Sequence, residues 1–398
     1  MKNASRLVPG FRFSGVHCGV KQEGRDLALI WSDRPATAAG VFTQSTVVGA
    51  PVTVSRELVR RGRARGVVVN AGISNVAMGE RGIRDARAMV DAAARAVGAG
   101  PAEMLVASTG VIGAPLPLAK IRRGIRAAAD VLAPDGLADA ARAIMTTDTV
   151  PKIALSRFRV RGRTVTVAGI AKGSGMVQPN MATMLAFLMT DAAVAAPHLR
   201  RVLRSAADAS FNRLTVDGET STSDTLLLFA NGAAETPVLR GPRSPGAARF
   251  QRAVSAVSLE LTRALARDGE GATRLITVRV TGARNRAEAD RGARRIANSP
   301  LVKTAVYGGD PNWGRILQTL GAGQVALCLD RAVVRLAGVV VFRRGSPTGP
   351  AARRRAEAGH RRPELEIEVA LGAGRASALV YTCDLTPEYI RINAEYTT

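Results

Sequence analysis

Aromatic residues, lysine, cysteine and histidine are all scarce in this chain. Aromatics make up 4% of its 398 residues, so stacking platforms for single-stranded nucleic acid are few. The formal net charge of +24 would suit a polyanionic partner. Yet lysine occurs only at positions 2, 21, 120, 152, 172 and 303, and the arginines that supply the rest are spread over helices and loops. They form no single motif, which points to a generic basic surface. Cys18, Cys328 and Cys383 are odd in number and widely spaced, which excludes a disulfide framework and a CxxC motif. With only His17, His198 and His360 beside them, no zinc spacing arises. His17 and Cys18 read as a packed pair at a strand end. No apolar run approaches the ~20 residues of a membrane span. The first residues, MKNASRLVPGFRFSG, lack the apolar core of a signal peptide, so the cytoplasm is the expected compartment. No GxGxxG follows a strand, so no dinucleotide fold is expected, and no repeat of fixed period appears.

What remains is an ordinary globular composition, 46% hydrophobic and 22% charged, long enough for two or three domains and a large core. Strands and helices mix without a regular βαβ count. Short strands are expected at 26–31 and 40–43, a buried strand at 66–70, and another at 104–107 that ends in the small-residue loop Ser108-Thr-Gly-Val-Ile-Gly113. Helical spacing of apolar residues marks 81–98, 118–132, 137–145, 196–211, 246–267 and 284–297. Thr146-Thr-Asp-Thr149 is turn material and also a good set of ligands for a polar substrate. Strands are expected at 164–170, 225–229, 275–280, 324–328, 333–342, 364–371 and 376–384. The Arg-, Gly- and Pro-rich stretch 343–363 reads as an exposed loop.

The central stretch is Lys172-Gly-Ser-Gly-Met-Val-Gln-Pro-Asn-Met-Ala-Thr-Met-Leu-Ala-Phe-Leu-Met-Thr-Asp191. Its glycines and Pro179 mark tight irregular backbone, and Met184 to Met189 is an apolar run of strand length. Thr183 stands at the junction. It reads either as a polar residue closing a turn or as a residue before which the chain cuts itself. In the second case its new α-amine, with a pKa of about 7.7–8.0, becomes the base for its own hydroxyl.

The chain resembles the ornithine acetyltransferases of the cyclic arginine pathway. The resemblance rests on an ordered series over nearly the whole chain. It runs through Gly40-Val-Phe-Thr43, Ser108 to Gly113, Met145-Thr-Thr-Asp148, Met181-Ala-Thr-Met-Leu185, Asp217-Gly-Glu and Ser221-Thr-Ser-Asp224. It continues with Asp268-Gly-Glu-Gly271, Leu301-Val-Lys-Thr-Ala305, Gly309-Asp-Pro-Asn-Trp-Gly-Arg315, Cys383-Asp-Leu-Thr386 and Ile392-Asn-Ala-Glu-Tyr-Thr-Thr398. It implies an α/β (α+β) fold, a layered α–β–β–α sandwich similar to N-terminal-nucleophile enzymes, with a smaller C-terminal α/β domain. It implies cleavage between Ala182 and Thr183 into an α chain, 1–182, and a β chain, 183–398, two of each assembling together.

The implied reaction moves acetyl from N2-acetyl-L-ornithine to L-glutamate through an acetyl-threonine. The resemblance implies Thr183 as nucleophile, the Thr109 hydroxyl and Gly110 N–H as oxyanion hole, and substrate contacts at Thr146, Lys172, Thr183, Glu270, Asn393 and Thr398. It implies no metal and no cofactor, with acetyl-CoA as a candidate co-substrate, since some members acetylate glutamate from it. The partners expected are small molecules, not nucleic acid or membrane. Lys172 suits a substrate carboxylate or a lowered pKa of the new amine, and Glu270 suits a substrate ammonium. Placing Asn393 and Thr398 at the site requires an ordered C-terminus. The competing reading is an amidase or aminopeptidase that uses the same threonine with water as acceptor. Asp310 to Arg315 and Asp217 to Asp224 read as structural corners. Two positions depart from the family pattern: Met78 stands where a threonine is usual, and Glu395 where an Asp is usual.

Overall fold

The computed structural model describes residues 8–178 and 184–395. Its first sheet has the order β1-β2-β4-β5, from β1 (Phe11–Val16), β2 (Leu27–Ser32), β4 (Gly66–Ile73) and β5 (Met104–Val111). The second has the order β3-β9-β8-β7-β6, from β3 (Thr37–Phe42), β6 (Lys152–Val160), β7 (Arg163–Lys172), β8 (Leu185–Thr190) and β9 (Thr225–Ala230).

Side-chain alternation stacks these sheets in layers. Along β8, Leu185, Phe187 and Met189 enter one core with Ile170, Leu227 and Phe229 from their own sheet and Phe13, Ile30, Val67 and Leu105 from the other. The intervening Ala186 and Leu188 enter a second core. There they meet α5 (Ala196–Ala209) through Leu199 and Leu203, and α6 (Ala247–Arg267) through Phe250, Val257 and Leu261. The first sheet turns Leu29, Val68 and Val106 outward onto α1 (Ala50–Val59), α2 (Gly79–Ala96) and α3 (Leu118–Asp130). The product is an α–β–β–α sandwich. The short α4 (Leu137–Ala143) closes one side of the inter-sheet core with Leu137, Ala140 and Ala141.

A third sheet, order β13-β12-β11-β14-β10-β15, forms the C-terminal part. It consists of β10 (Leu275–Ala283), β11 (Val333–Leu336), β12 (Val339–Arg343), β13 (Ser346–Pro347), β14 (Glu364–Ala370) and β15 (Ala376–Cys383). Its own core includes Val278, Val280, Ile367 and Val380, covered by α7 (Arg286–Asn298), α9 (Trp313–Ala322) and α10 (Pro350–His360). α8 (Pro300–Tyr307) and the C-terminal α11 (Pro387–Glu395) complete the chain.

Several expectations need correction. The stretch 343–363 is not a loop: Pro350 sets the first turn of α10, whose Ala356 and His360 are buried. Alanine and arginine are good helix formers, and here they outweigh the charge run. The expected strand at 324–328 is irregular. The run 333–342 breaks at Ala337-Gly338, both at positive φ, into the hairpin β11–β12. The expected loop at 108–113 begins as strand, because β5 stays paired with β4 out to Val111. Helices α1, α8, α9 and α11 and strand β6 had no counterpart in the sequence reading.

If β8 is buried on both faces as described, Phe187→Ala should cost about 3–5 kcal/mol, read as a lowered urea midpoint. A cost below about 1 kcal/mol would be incompatible with a ring at the inter-sheet core.

Candidate active site

Both sheets of the sandwich send strand ends to the same place. β7 finishes at Lys172, which pairs with Leu185 at the start of β8. Leu185 pairs on its other side with Thr225, the first residue of β9, and the Thr225 amide donates to the Met184 carbonyl at 3.0 Å. From the other sheet, β4 and β5 run parallel and pair Thr109 with Ala71 and Gly110 with Gly72. Gly110 has φ +121°, and a Cβ there would collide with the Gly72 backbone. Only glycine fits that approach.

The pocket between these ends is lined by Thr109, Gly110, Thr146, Lys172, Glu270 and Asn393, with Ser74, Gly175, Met176, Met184 and the stretch Ser221–Asp224. Every candidate site residue within the described part of the chain therefore opens on one cavity. Ala182, Thr183 and Thr398 lie outside the described residues.

Hydrogen bonds tie the lining together. Lys172 Nζ donates to Thr146 Oγ1 at 2.6 Å and to Thr109 Oγ1 at 3.3 Å. Behind it lies Asp148, its side chain fully buried, with one oxygen 4.0 Å from Lys172 Nζ. Asp148 accepts from the Gly173 amide at 2.7 Å, the Thr146 amide at 3.1 Å and Lys152 Nζ at 2.6 Å. Lys152 also reaches Asp268 at 2.6 Å. Asp268, just past the end of α6, in turn accepts from the Thr149 amide at 3.0 Å.

On the opposite wall Asn393 Nδ2, on α11, donates to Glu270 Oε2 at 2.8 Å. Gly175 makes room for Glu270, since a Cβ there would run into its carboxylate. Asp217 accepts from the amides of Met176 and Val177 at 2.6 and 2.9 Å, and so holds Met176 at its unfavourable φ of +53°. The Tyr389 hydroxyl reaches the same carboxylate at 3.4 Å, and Thr386 Oγ1 donates to the Gly271 carbonyl at 2.7 Å. These contacts dock α11 and bring Asn393 to the pocket, as an ordered C-terminal segment requires.

Burial and charge act in opposition here. Burial pushes Asp148 up, but the Lys172 and Lys152 ammoniums and the Gly173 amide outweigh it, and its carboxyl sits below the usual range. Burial pushes Lys172 down, while Asp148 and Glu270 pull it back up and Lys152 and Lys21 push it further down. Asp224 lies at the start of β9 with one carboxyl oxygen buried and unpartnered. Burial raises it well above the ordinary range, only partly offset by the Ser221 hydroxyl, the Met184 amide and Lys172.

The reading of the sequence missed Asp148 as a buried anion and Asp224 as a pocket wall. Both sit in polar turns that it had noticed, but depth is not visible in a turn's composition. Asp310 to Arg315 is a structural corner, away from the pocket. Asn312 caps α9 and Trp313 stacks on Phe342 with ring centroids 5.0 Å apart. Near the expected His17–Cys18 pair, burial and then the Asp26 carboxylate push the Cys18 thiol up to about 12, the reverse of an activated nucleophile. Among the described residues no group of three or more His, Cys, Asp or Glu could hold a metal ion, and no helix is long and apolar enough to cross a membrane.

Known proteins bear on this arrangement. The model of the ArgJ family matches residues 12–398. The arginine biosynthesis bifunctional protein ArgJ of Geobacter sulfurreducens is 47% identical over 392 residues, covering 98% of this chain and 100% of that one. The protein of the same name from Bacillus subtilis is 42% identical over 390 residues, covering 98% and 95%. The crystal structure of arginine biosynthesis bifunctional protein ArgJ from Bacillus halodurans is 40% identical with a TM-score of 0.50, covering 53% of this chain and 98% of that chain.

The contact of Gly110 with Gly72 gives a direct check. Gly110→Ala should lower stability by roughly 1–3 kcal/mol in chemical denaturation. An unchanged midpoint would mean that the ends of β4 and β5 are not held this closely.

Proposed function

The chain belongs to the ArgJ family, and on that premise we propose how its pocket moves acetyl from N2-acetyl-L-ornithine to L-glutamate. It is a glutamate N-acetyltransferase of arginine biosynthesis. The chain cuts itself between Ala182 and Thr183, and the free α-amine of Thr183 takes the proton from its own hydroxyl as Oγ attacks the acetyl carbonyl. The oxygen that becomes negative is met by the Thr109 hydroxyl and the Gly110 N–H, donors of a kind worth about 2.7–4 kcal/mol each. The intermediate collapses to acetyl-threonine as ornithine leaves with the proton. The amine of glutamate then attacks the ester, N-acetylglutamate departs, and Thr183 Oγ recovers its proton. Glu270 receives the substrate ammonium, Lys172 and Thr146 the polar head group, and Asn393 and Thr398 close the pocket from the C-terminal end.

The observation that carries this reading is the convergence of Thr109, Gly110, Thr146, Lys172, Glu270 and Asn393 on one pocket at the start of β8. Met184, one residue after the proposed nucleophile, lines that pocket. A further support is the length of the Bacillus halodurans chain, matched over 98% of itself yet spanning 53% of this one. A half-length chain is what a break at 182/183 leaves. The assembled form is two α and two β chains, the compartment the cytoplasm. Acetyl-CoA is a second acetyl donor, in keeping with the word bifunctional in the relatives' names.

The test is a denaturing gel with N-terminal sequencing, followed by an acetyl-transfer assay. The purified protein should give two bands, the second beginning at Thr183, with ping-pong kinetics. Thr183→Ala should stay in one piece and be inactive. A fully active uncut chain would overturn the mechanism, and release of free acetate without glutamate would make the enzyme an amidase. Separately, Glu270→Gln should raise KM for N-acetylornithine about 10–100-fold, the loss of one charge-assisted hydrogen bond of about 1.5–3 kcal/mol. An unchanged KM would remove Glu270 from substrate binding.

A further inference from the structure

We propose that Asp148 is a positioning residue which, by holding Lys172 as an ammonium, turns the Thr109 hydroxyl proton into the pocket. The inference rests on the reading of Thr109 as an oxyanion donor and goes beyond it, since it gives Lys172 a second role besides contact with substrate and gives Asp148 its first.

A threonine hydroxyl has one proton and two lone pairs, while an ammonium has three donors and no acceptor. Lys172 Nζ lies 2.6 Å from Thr146 Oγ1 and 3.3 Å from Thr109 Oγ1. As an ammonium it can only donate to both. The proton of Thr109 is then excluded from the side facing Lys172, and its remaining direction is the cavity that Thr109 lines. A neutral amine reverses this, because its lone pair can accept from Thr109 and draw the proton away. An oxyanion donor pointing the wrong way contributes nothing to the transition state. The charge on Lys172 therefore decides whether Thr109 is a donor or a spectator.

That charge is expensive at a buried position. Five charged or titratable groups face it from five places in the fold. Burial and the cations Lys152 on β6 and Lys21 in the β1–β2 connection push the ammonium toward neutrality. Asp148, after α4, is the foremost anion opposing them, with Glu270, after α6, behind it. Asp224, before β9, is itself pushed toward its neutral acid by burial and gives little support. Asp148 can play this part because its own charge is secured by Lys152 and by the Gly173 and Thr146 amides. Those two amides belong to the segments that carry Lys172 and the Thr146 hydroxyl. One carboxylate thus fixes both the charge and the place of the donor.

The linkage has a definite sign. With the anion present, the pKa of Lys172 is raised relative to its value without it, so the ammonium persists to higher pH. Activity should rise as the Thr183 amine loses its proton and fall as Lys172 loses its own, a bell. Asp148→Asn removes the anion and should move the alkaline limb of kcat/KM down by at least about one pH unit, leaving the acid limb in place. Asp148→Glu should restore part of that shift.

The decisive measurement is a double-mutant cycle between Asp148→Asn and Thr109→Ala, run on self-cleaved enzyme with N-acetylornithine and glutamate. Read at a pH above the displaced alkaline limb, Thr109→Ala should lower kcat about 10²–10³-fold and Asp148→Asn at least about tenfold, with KM changed far less. In the Thr109→Ala background, Asp148→Asn should cost no more than about threefold, because the proton it controls is gone. Effects that multiply, or an alkaline limb that does not move, would overturn the inference. Thr109→Ala with the parent rate would instead remove the oxyanion role, and this inference with it. If Asp148→Asn fails to fold, Lys172→Met replaces it in the same cycle. A lysine that only bound substrate carboxylate would raise KM and combine multiplicatively with Thr109→Ala, which would likewise overturn the inference.

Discussion

A strand buried on both faces can place polar groups only at its ends. β8 is such a strand, with Leu185, Phe187 and Met189 in the inter-sheet core and Ala186 and Leu188 under the helices. Its neighbour β9 shares the constraint, since every residue of β9 is buried. Chemistry is thereby expelled to the strand ends, where backbone groups lose their ladder partners and loops take over. At the end where β8 begins, Lys172 finishes β7, Asp224 precedes β9, and Thr109-Gly110 arrives from the other sheet. The packing of two apolar layers is what brings a lysine, a buried carboxyl and the Thr109-Gly110 pair to one pocket.

Three of the six lysines sit in a similar setting. Lys152, Lys172 and Lys303 are all buried, in a chain whose positive charge is otherwise almost entirely arginine. Each ammonium sits among oxygen acceptors on several sides. Lys152 lies between Asp148 and Asp268, Lys172 between two threonines and Asp148, and Lys303 between the Val216 carbonyl and Thr382. A compact head with three donors fits such a cage, whereas the planar fork of arginine needs acceptors in one plane. Exposed arginine pairs such as Arg84 with Glu80 contribute little by comparison. The high net charge and the site are therefore separate matters: the exposed pairs are arginine pairs, and these three buried cations are lysines.

How much of this was legible in the sequence follows the same division. The β8 run and the amphipathic α2 and α6 could be read directly, because they rest on periodicity, whereas the pocket residues were named together only through the resemblance to a known family. Depth could not be read. Asp148 stood in a turn that read as polar and ligand-like, and only the third dimension shows it fully buried between two lysines. Thr109 and Gly110 read as loop because small residues usually end strands, but pairing with β4 carries β5 on to Val111. The 343–363 stretch read as loop because its charges hid the helix propensity of alanine and arginine in α10. In each case a long-range contact decided against a sound local signal.

Placing a chain break beside β8 also has a mechanical consequence. A cut at 182/183 leaves β7 on one product and β8 on the other, yet their antiparallel ladder runs from Val167–Thr190 to Lys172–Leu185. β3 and β9 likewise fall on different products and pair from Thr37–Ala230 to Phe42–Thr225. The second sheet would thus become a joint between two chains, with its inter-sheet core shared across the cut. An interface of that kind resembles a domain core divided in half, the form obligate partners take. A nucleophile at the new N-terminus would acquire a free amine without loosening the strands that aim it, which is the condition for a group that must act as both attacker and base.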